Sequence, residues 1–116
     1  MNIEINTNTS LKDILTSFQE QYSNLKLSFH KAAHEIGEGS TDKQLNLDLK
    51  LGELSENIED QTFHIRGNTK VKTLEQELSK VIGCSVQVYR RSGKIWLQTT
   101  QTDEWTLQHQ QENGHS

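Results

Sequence analysis

The stretch Val71-Lys72-Thr73-Leu74-Glu75-Gln76-Glu77-Leu78-Ser79-Lys80-Val81-Ile82-Gly83-Cys84-Ser85-Val86-Gln87-Val88-Tyr89 changes its apolar period partway along. Residues 71, 74, 78, 81 and 82 form one stripe along a helix. Thr69 is placed to cap its first turn, and Gly83 to stop it, because glycine enters the left-handed region at little cost. Beyond the glycine the period is two: Val86 and Val88 alternate with Gln87 and Tyr89, the pattern of a strand with one buried face. Phe63-His64-Ile65, ahead of the helix, reads as another strand, so residues 61–90 spell strand–helix–strand.

The same unit stands 60 residues earlier. Ile3-Glu4-Ile5 falls on Phe63-His64-Ile65, Asn8-Thr9 on Asn68-Thr69, and Lys12 on Lys72. Leu11, Ile14, Phe18 and Tyr22 fall on Val71, Leu74, Leu78 and Ile82, with Leu15 joining the first stripe. Thr9 or Ser10 is the cap of this helix, and Asp13 suits the positive end of its dipole. Leu25, Leu27 and Phe29 then alternate with Lys26, Ser28 and His30. Read as one shift of 60 that holds helices and strands in phase, this predicts an α/β (α+β) fold. The expected form is a ferredoxin-like βαββαβ sandwich, with an internal βαβ repeat, two helices on one face of a single antiparallel-dominated sheet, and an added C-terminal hairpin strand.

One domain of 116 residues results: a first βαβ unit over 1–30, an acidic insertion over 31–60, a second βαβ unit plus hairpin strand over 61–101, and a tail over 102–116. Within the insertion Leu45, Leu47, Leu49 and Leu51 alternate with polar residues and predict an extra strand. Residues 35–44, with Gly37, Gly39, Ser40, Glu35, Glu38 and Asp42, have little to bury and predict the most mobile internal segment.

The hairpin carries the sharpest candidate site. With Ser92-Gly93 as the turn, Arg91 pairs with Lys94, Tyr89 lies opposite Trp96, and Val88 shares the core face with Leu97. Tyr89, Trp96, Arg91, Lys94, Gln87 and Gln98 then form a candidate binding face, of the kind on which bases or a flat ligand stack. The favoured alternative is that the tail folds back across it: Asp103 caps a short helix, and Trp105 and Leu107 cover the two aromatics as a second small core. A protein–protein contact is the third possibility.

Residues 86–93, then Trp96-Leu97-Gln98-Thr99-Thr100, then Thr102-Asp103-Glu104-Trp105-Thr106-Leu107 resemble a family of short, uncharacterised bacterial proteins. The C-terminal halves of that family read V-Q-V-F-R-K-S-G, W-L, T-T and T-D-x-W-T-L; Tyr89 and Arg91 replace the usual Phe and Lys. The resemblance spans most of the chain and is crisp over residues 74–107. It implies no catalytic residue.

Composition narrows the classes. Hydrophobic residues make up 31% and the mean hydropathy is -0.79, yet Leu, Ile, Val and Phe reach about 24%, enough for a modest core. The net charge is -4: residues 1–60 sum to -6 and residues 61–116 to +2, so no global basic field marks a nucleic-acid binder. No basic and apolar leader follows Met1, no apolar run approaches a membrane span, and the lone Cys84 reads as a small buried hydrophobe; these predict a cytoplasmic protein.

Other constellations are weaker. His30, His34 and Glu35 have metal-ligand spacing only if helical, and His30 ends a strand. Glu4 and His64, brought together by the repeat, suit acid–base chemistry, but such residues more often make a cross-strand polar contact. Thr99, Thr100, Thr102 and Thr106 have no adjacent base. No catalytic residue, metal or cofactor is therefore assigned. The reading is a small non-enzymatic interaction or regulatory domain, with the acidic segment Glu35–Asp60 suited to a basic protein partner and homo-oligomerisation possible. The alternative is a ligand- or single-stranded nucleic-acid-binding module using the face around Tyr89 and Trp96, with nucleic acid the less favoured ligand. No membrane partner is expected.

Overall fold

The computed structural model describes residues 1–31 and 44–115. In chain order the elements are β1 (Asn2–Ile5), α1 (Leu11–Gln21), β2 (Leu25–His30), α2 (Leu51–Leu54), β3 (Gln61–His64), α3 (Val71–Ile82), β4 (Ser85–Ser92), β5 (Ile95–Gln98), a 3-10 turn at Thr100–Thr102, and α4 (Leu107–Asn113). The segment expected to be most mobile falls, but for Gln44, outside the described residues.

Both helix stripes face inward. Leu11, Ile14, Phe18 and Tyr22 are buried, as are Val71, Leu74, Leu78 and Ile82. Ser10 caps α1 through a reciprocal pair with Asp13, and Gly83 ends α3 at φ 81°, where a side chain would be strained. Strand alternation also reads correctly: Ile3, Ile5, Leu25, Leu27, Phe29, Val86 and Val88 are buried, and together with both helices they form one core.

The pairing corrects the expected topology. β1 pairs antiparallel with β3 (Ile3 opposite Phe63), and β2 pairs antiparallel with β4 (Leu27 opposite Val88). The strands thus divide into a two-stranded sheet, β1-β3, and a three-stranded sheet, β2-β4-β5, whereas the ferredoxin-like sandwich needs them in one. Apolar period fixes which side of a strand is buried but not which neighbour it pairs with. The single shift of 60 is corrected too. α3 has 12 residues and α1 has 11, so past the helices Leu25 and Leu27 match Val86 and Val88 at a shift of 61.

The expected strand over residues 45–51 is a strap instead. Gln44 bridges His30, and the chain then turns into the one-turn helix α2. Leu45, Leu47 and Leu49 are half-buried and Leu51 fully so, which explains the alternation. The strap's carbonyls serve α1: Leu11 N–H donates to Leu49 O and Lys12 N–H to Leu47 O, satisfying first-turn donors that lack partners inside a helix. Leu51 N–H and Gly52 N–H donate in turn to Thr9 O and Thr7 O.

The tail does the same for α3. Val71 N–H donates to Trp105 O and Lys72 N–H to Asp103 O, while Leu107 N–H and Gln108 N–H donate to Thr69 O and Gly67 O. Thr69 is therefore not the side-chain cap of α3: Lys70 holds the N-cap position without a side-chain capping bond, its ammonium pairing instead with Glu104. Asp103 does not cap α4 either; Thr106 Oγ1 accepts from His109 N–H in that role.

Candidate functional site

β4 is the centre of the three-stranded sheet and its longest strand, with eight residues. β5 pairs only with its C-terminal half, Tyr89–Ser92. Where β5 stops, side chains of α3 satisfy the free edge: Val86 N–H donates to Ser79 Oγ at 3.1 Å and Val88 N–H to Glu75 Oε2 at 2.8 Å. Thr99 Oγ1 donates to Val88 O at 3.0 Å. Holding Glu75 against the sheet removes water from its carboxyl, and burial is the main cause that raises its pKa to about 7; the Val88 N–H lowers it and the nearby charge of Asp103 raises it further. Burial likewise pushes the Cys84 thiol up to about 11, and Cys84 is buried, as expected of a small hydrophobe.

The hairpin register differs from the expected one by two residues. Arg91 lies opposite Trp96 and Ser92 opposite Ile95, so the two-residue loop is Gly93–Lys94, with Gly93 at φ 61°. Tyr89 is opposite Gln98, and Leu97 opposite Arg90. A slip of two keeps every side chain on its face, so Tyr89 and Trp96 still share one, diagonally rather than directly. Leu97 keeps the core-side face, but at 37% exposed it overhangs the core instead of entering it.

The side of this sheet away from the main core carries Lys26, Ser28 and His30 from β2, Ser85, Gln87, Tyr89 and Arg91 from β4, and Trp96 and Gln98 from β5, with Ser28 itself buried. None of these is acidic. Lys26, opposite Tyr89, sets its ammonium 5.4 Å from the Tyr89 ring centre and 5.0 Å from that of Trp96. The Arg91 guanidinium lies 5.7 Å from the Trp96 ring. Each is a cation–π contact, so the two half-buried rings brace cations that have no carboxylate partner among the described residues. Gln98 reaches the Tyr89 hydroxyl at 3.4 Å. Lys94 is exposed at the tip of the hairpin, and Gln87 lies opposite Ser28. Sequence reasoning missed Lys26; its alternation with Leu25 and Leu27 was visible, but its place beside β4 was not.

The tail does not cover this face. Trp105 lies on the other side of the sheet, 5.6 Å from the guanidinium of Arg90, whose side chain alternates away from Tyr89 and Arg91. Leu107 is fully buried in the main core. The chain had to turn under the sheet rather than over it, because the Asp103 and Trp105 carbonyls are bonded to the start of α3.

Glu4 and His64 share the outward face of the β1-β3 pair, diagonally, but do not bond each other. Glu4 accepts from Thr62 Oγ1 at 3.0 Å, and His64 Nδ1 meets Asn2 Oδ1 at 2.7 Å, each the directly opposite residue on an exposed strand pair. His34 and Glu35 lie outside the described residues, and among the described residues no cluster of three metal-ligating side chains occurs. No described helix is long and apolar enough to cross a membrane. Compared with protein families, with curated proteins and with solved structures, the chain matches none of them.

Proposed function

We propose that this chain is a non-enzymatic interaction domain whose contact surface is the outward face of β2-β4-β5, and that its partner is a protein presenting an acidic segment. One observation carries the reading. Lys26 and Arg91 stand on this face braced by Tyr89 and Trp96, with no acidic side chain from the three strands beside them, in a chain of net charge -4. Aromatic and arginine side chains supply much of the binding energy of protein contacts, and unpaired cations steer an anionic partner. The stretch between residues 48 and 60, with Asp48, Glu53, Glu56, Glu59 and Asp60, would offer a second surface of opposite sign.

A second reading is single-stranded nucleic acid, favoured by two aromatics side by side on one sheet face. Lys26 over both rings counts against it, since stacked bases would have to displace the ammonium. The test is retention of a protein partner from the native cell at low salt, alongside binding of a thymidine decamer. We expect a retained protein that is lost with the Lys26→Glu/Arg91→Glu double variant, and no comparable decamer affinity. Decamer binding abolished by Trp96→Ala would replace the first reading with the second; retention unaffected by the double variant would refute the face.

We also infer that the chain is two copies of a strand–helix–strand–strap unit. Its support is the matching strap bonds, which recur 56 residues on: Leu47, Leu49, Leu51 and Gly52 are matched by Asp103, Trp105, Leu107 and Gln108. Equivalent strands also pair with each other, β1 with β3 and β2 with β4.

A further inference from the structure

We infer that the underside of the hairpin holds a binding site for a small organic anion, a carboxylate or phosphate group with an apolar body, read by Arg90. This site lies on the face opposite Lys26 and Arg91 and does not depend on the proposed protein contact. An open pocket of about 380 Å³ is lined there by Arg90, Leu97, Gln98, Thr100, Gln101 and Thr102.

Arg90 is held rigidly. Its guanidinium lies against the Trp105 ring, and Nη1 donates to Gln110 Oε1 at 2.7 Å. Gln110 is fully buried and fixed in turn, its amide donating to Thr102 O at 2.9 Å and Thr102 Oγ1 at 2.7 Å. The stem of Arg90 packs where Gly114 leaves room, since a Cβ there would come within 3.3 Å of Arg90 Cγ. Two neutral partners thus orient the guanidinium and leave its charge uncompensated: among the described residues no carboxylate pairs with it.

A guanidinium has five N–H donors in a planar fork that matches two oxygens of a carboxylate or phosphate. One of the five is used by Gln110. A structural tie alone would be served by an amide or a lysine and would not need a lined pocket beside it. The hydroxyl of Thr100 and the amide of Gln101 provide further polar groups, while Leu97, an exposed apolar residue on the lip, offers a surface for an aliphatic body. Side-chain order settled before the ligand arrives lowers the cost of binding it.

The experiment is a two-dimensional NMR titration of the intact chain with inorganic phosphate and, separately, with hexanoate, at constant ionic strength. We expect saturable shifts of the Arg90 side-chain N–H, the Trp105 indole N–H and the amides of residues 100–102, with hexanoate also moving the Leu97 methyls. Gln101→Glu, an exposed position that leaves the Arg90–Trp105–Gln110 packing intact, places a competing carboxylate at the pocket and should abolish those shifts. Arg90→Gln should abolish them as well, with retained spectral dispersion reporting that it folds. Saturation by either probe, lost in Gln101→Glu, supports the site and tells which oxyanion it takes. No saturable shift with either probe, shifts unchanged in Gln101→Glu, or shifts centred instead on Lys26 and Arg91 would overturn it.

Discussion

The straps of the two halves are attached by the same backbone bonds and built from different side chains. In the first, Leu45, Leu47, Leu49 and Leu51 supply apolar cover and little else. In the second, Asp103, Trp105 and Thr106 stand in that stretch, and Trp105, with Gln110 of α4, holds Arg90. The difference extends to the helices. Leu15 sits in α1 where α3 has Glu75, which spends its carboxylate on the free edge of β4. Backbone donors at a helix start must be satisfied in both halves, so the bonding recurs. Polar side chains at the core margin are costly unless bonded, and Glu75 and Gln110 in the second half are both bonded.

The largest expected effects test whether the two halves are equal in the core. Phe18→Ala removes a fully buried ring and should cost about 3–5 kcal/mol in urea unfolding, with Leu78→Ala at the matching position costing about 2–5 kcal/mol. A loss below about 1 kcal/mol for either would show that its helix face is wrongly assigned. Next come the straps. Leu51 and Leu107 are equally inaccessible, so Leu51→Ala and Leu107→Ala should each cost about 2–5 kcal/mol. A small loss for Leu51→Ala alone would mean that the first strap is an ornament on a core closed by the second.

A pH profile separates the halves further. In the folded chain Glu75 titrates near 7, above its ordinary value of 4.5, so between these values the folded state binds more protons than the unfolded one. Stability should therefore fall as pH rises from about 4.5 towards 7, and this contribution should level off above that. Glu75→Gln keeps an acceptor for the Val88 N–H and removes the ionisation, so it should flatten the decline in urea midpoint across that window. An unchanged slope would locate the titration elsewhere. The smallest effect concerns the caps. Ser10→Ala should cost about 1 kcal/mol, because Ser10 bonds the Asp13 N–H; Lys70→Ala, at an N-cap without a side-chain capping bond and with only an exposed ion pair to Glu104, should leave the midpoint nearly where it was.

Burial was legible in the sequence wherever it follows from period alone. The stripes from Leu11 to Tyr22 and from Val71 to Ile82, the alternation of β1, β2 and β4, and the helix stop at Gly83 all lie where apolar spacing and glycine chemistry put them. Even Leu45 to Leu51 alternate correctly in burial, although no strand forms. The shared face of Tyr89 and Trp96 also survived a register slip of two, because side-chain direction depends only on parity.

Partner choice was not legible. That β2 joins β4, bringing Lys26 over Tyr89 and Trp96, depends on contacts between residues some sixty positions apart, which no local pattern encodes. The path of the tail under the sheet was likewise decided by the unsatisfied first-turn donors of α3, which drew the Trp105 and Asp103 carbonyls to Val71 and Lys72. Sequence by itself determined which side chains face in and which face out, since strand and helix geometry act over a few residues. Only tertiary structure decided which outward cations and aromatics meet, and that Arg90 stands beside a pocket with no carboxylate partner among the described residues, because those juxtapositions arise when distant segments satisfy each other's backbone groups.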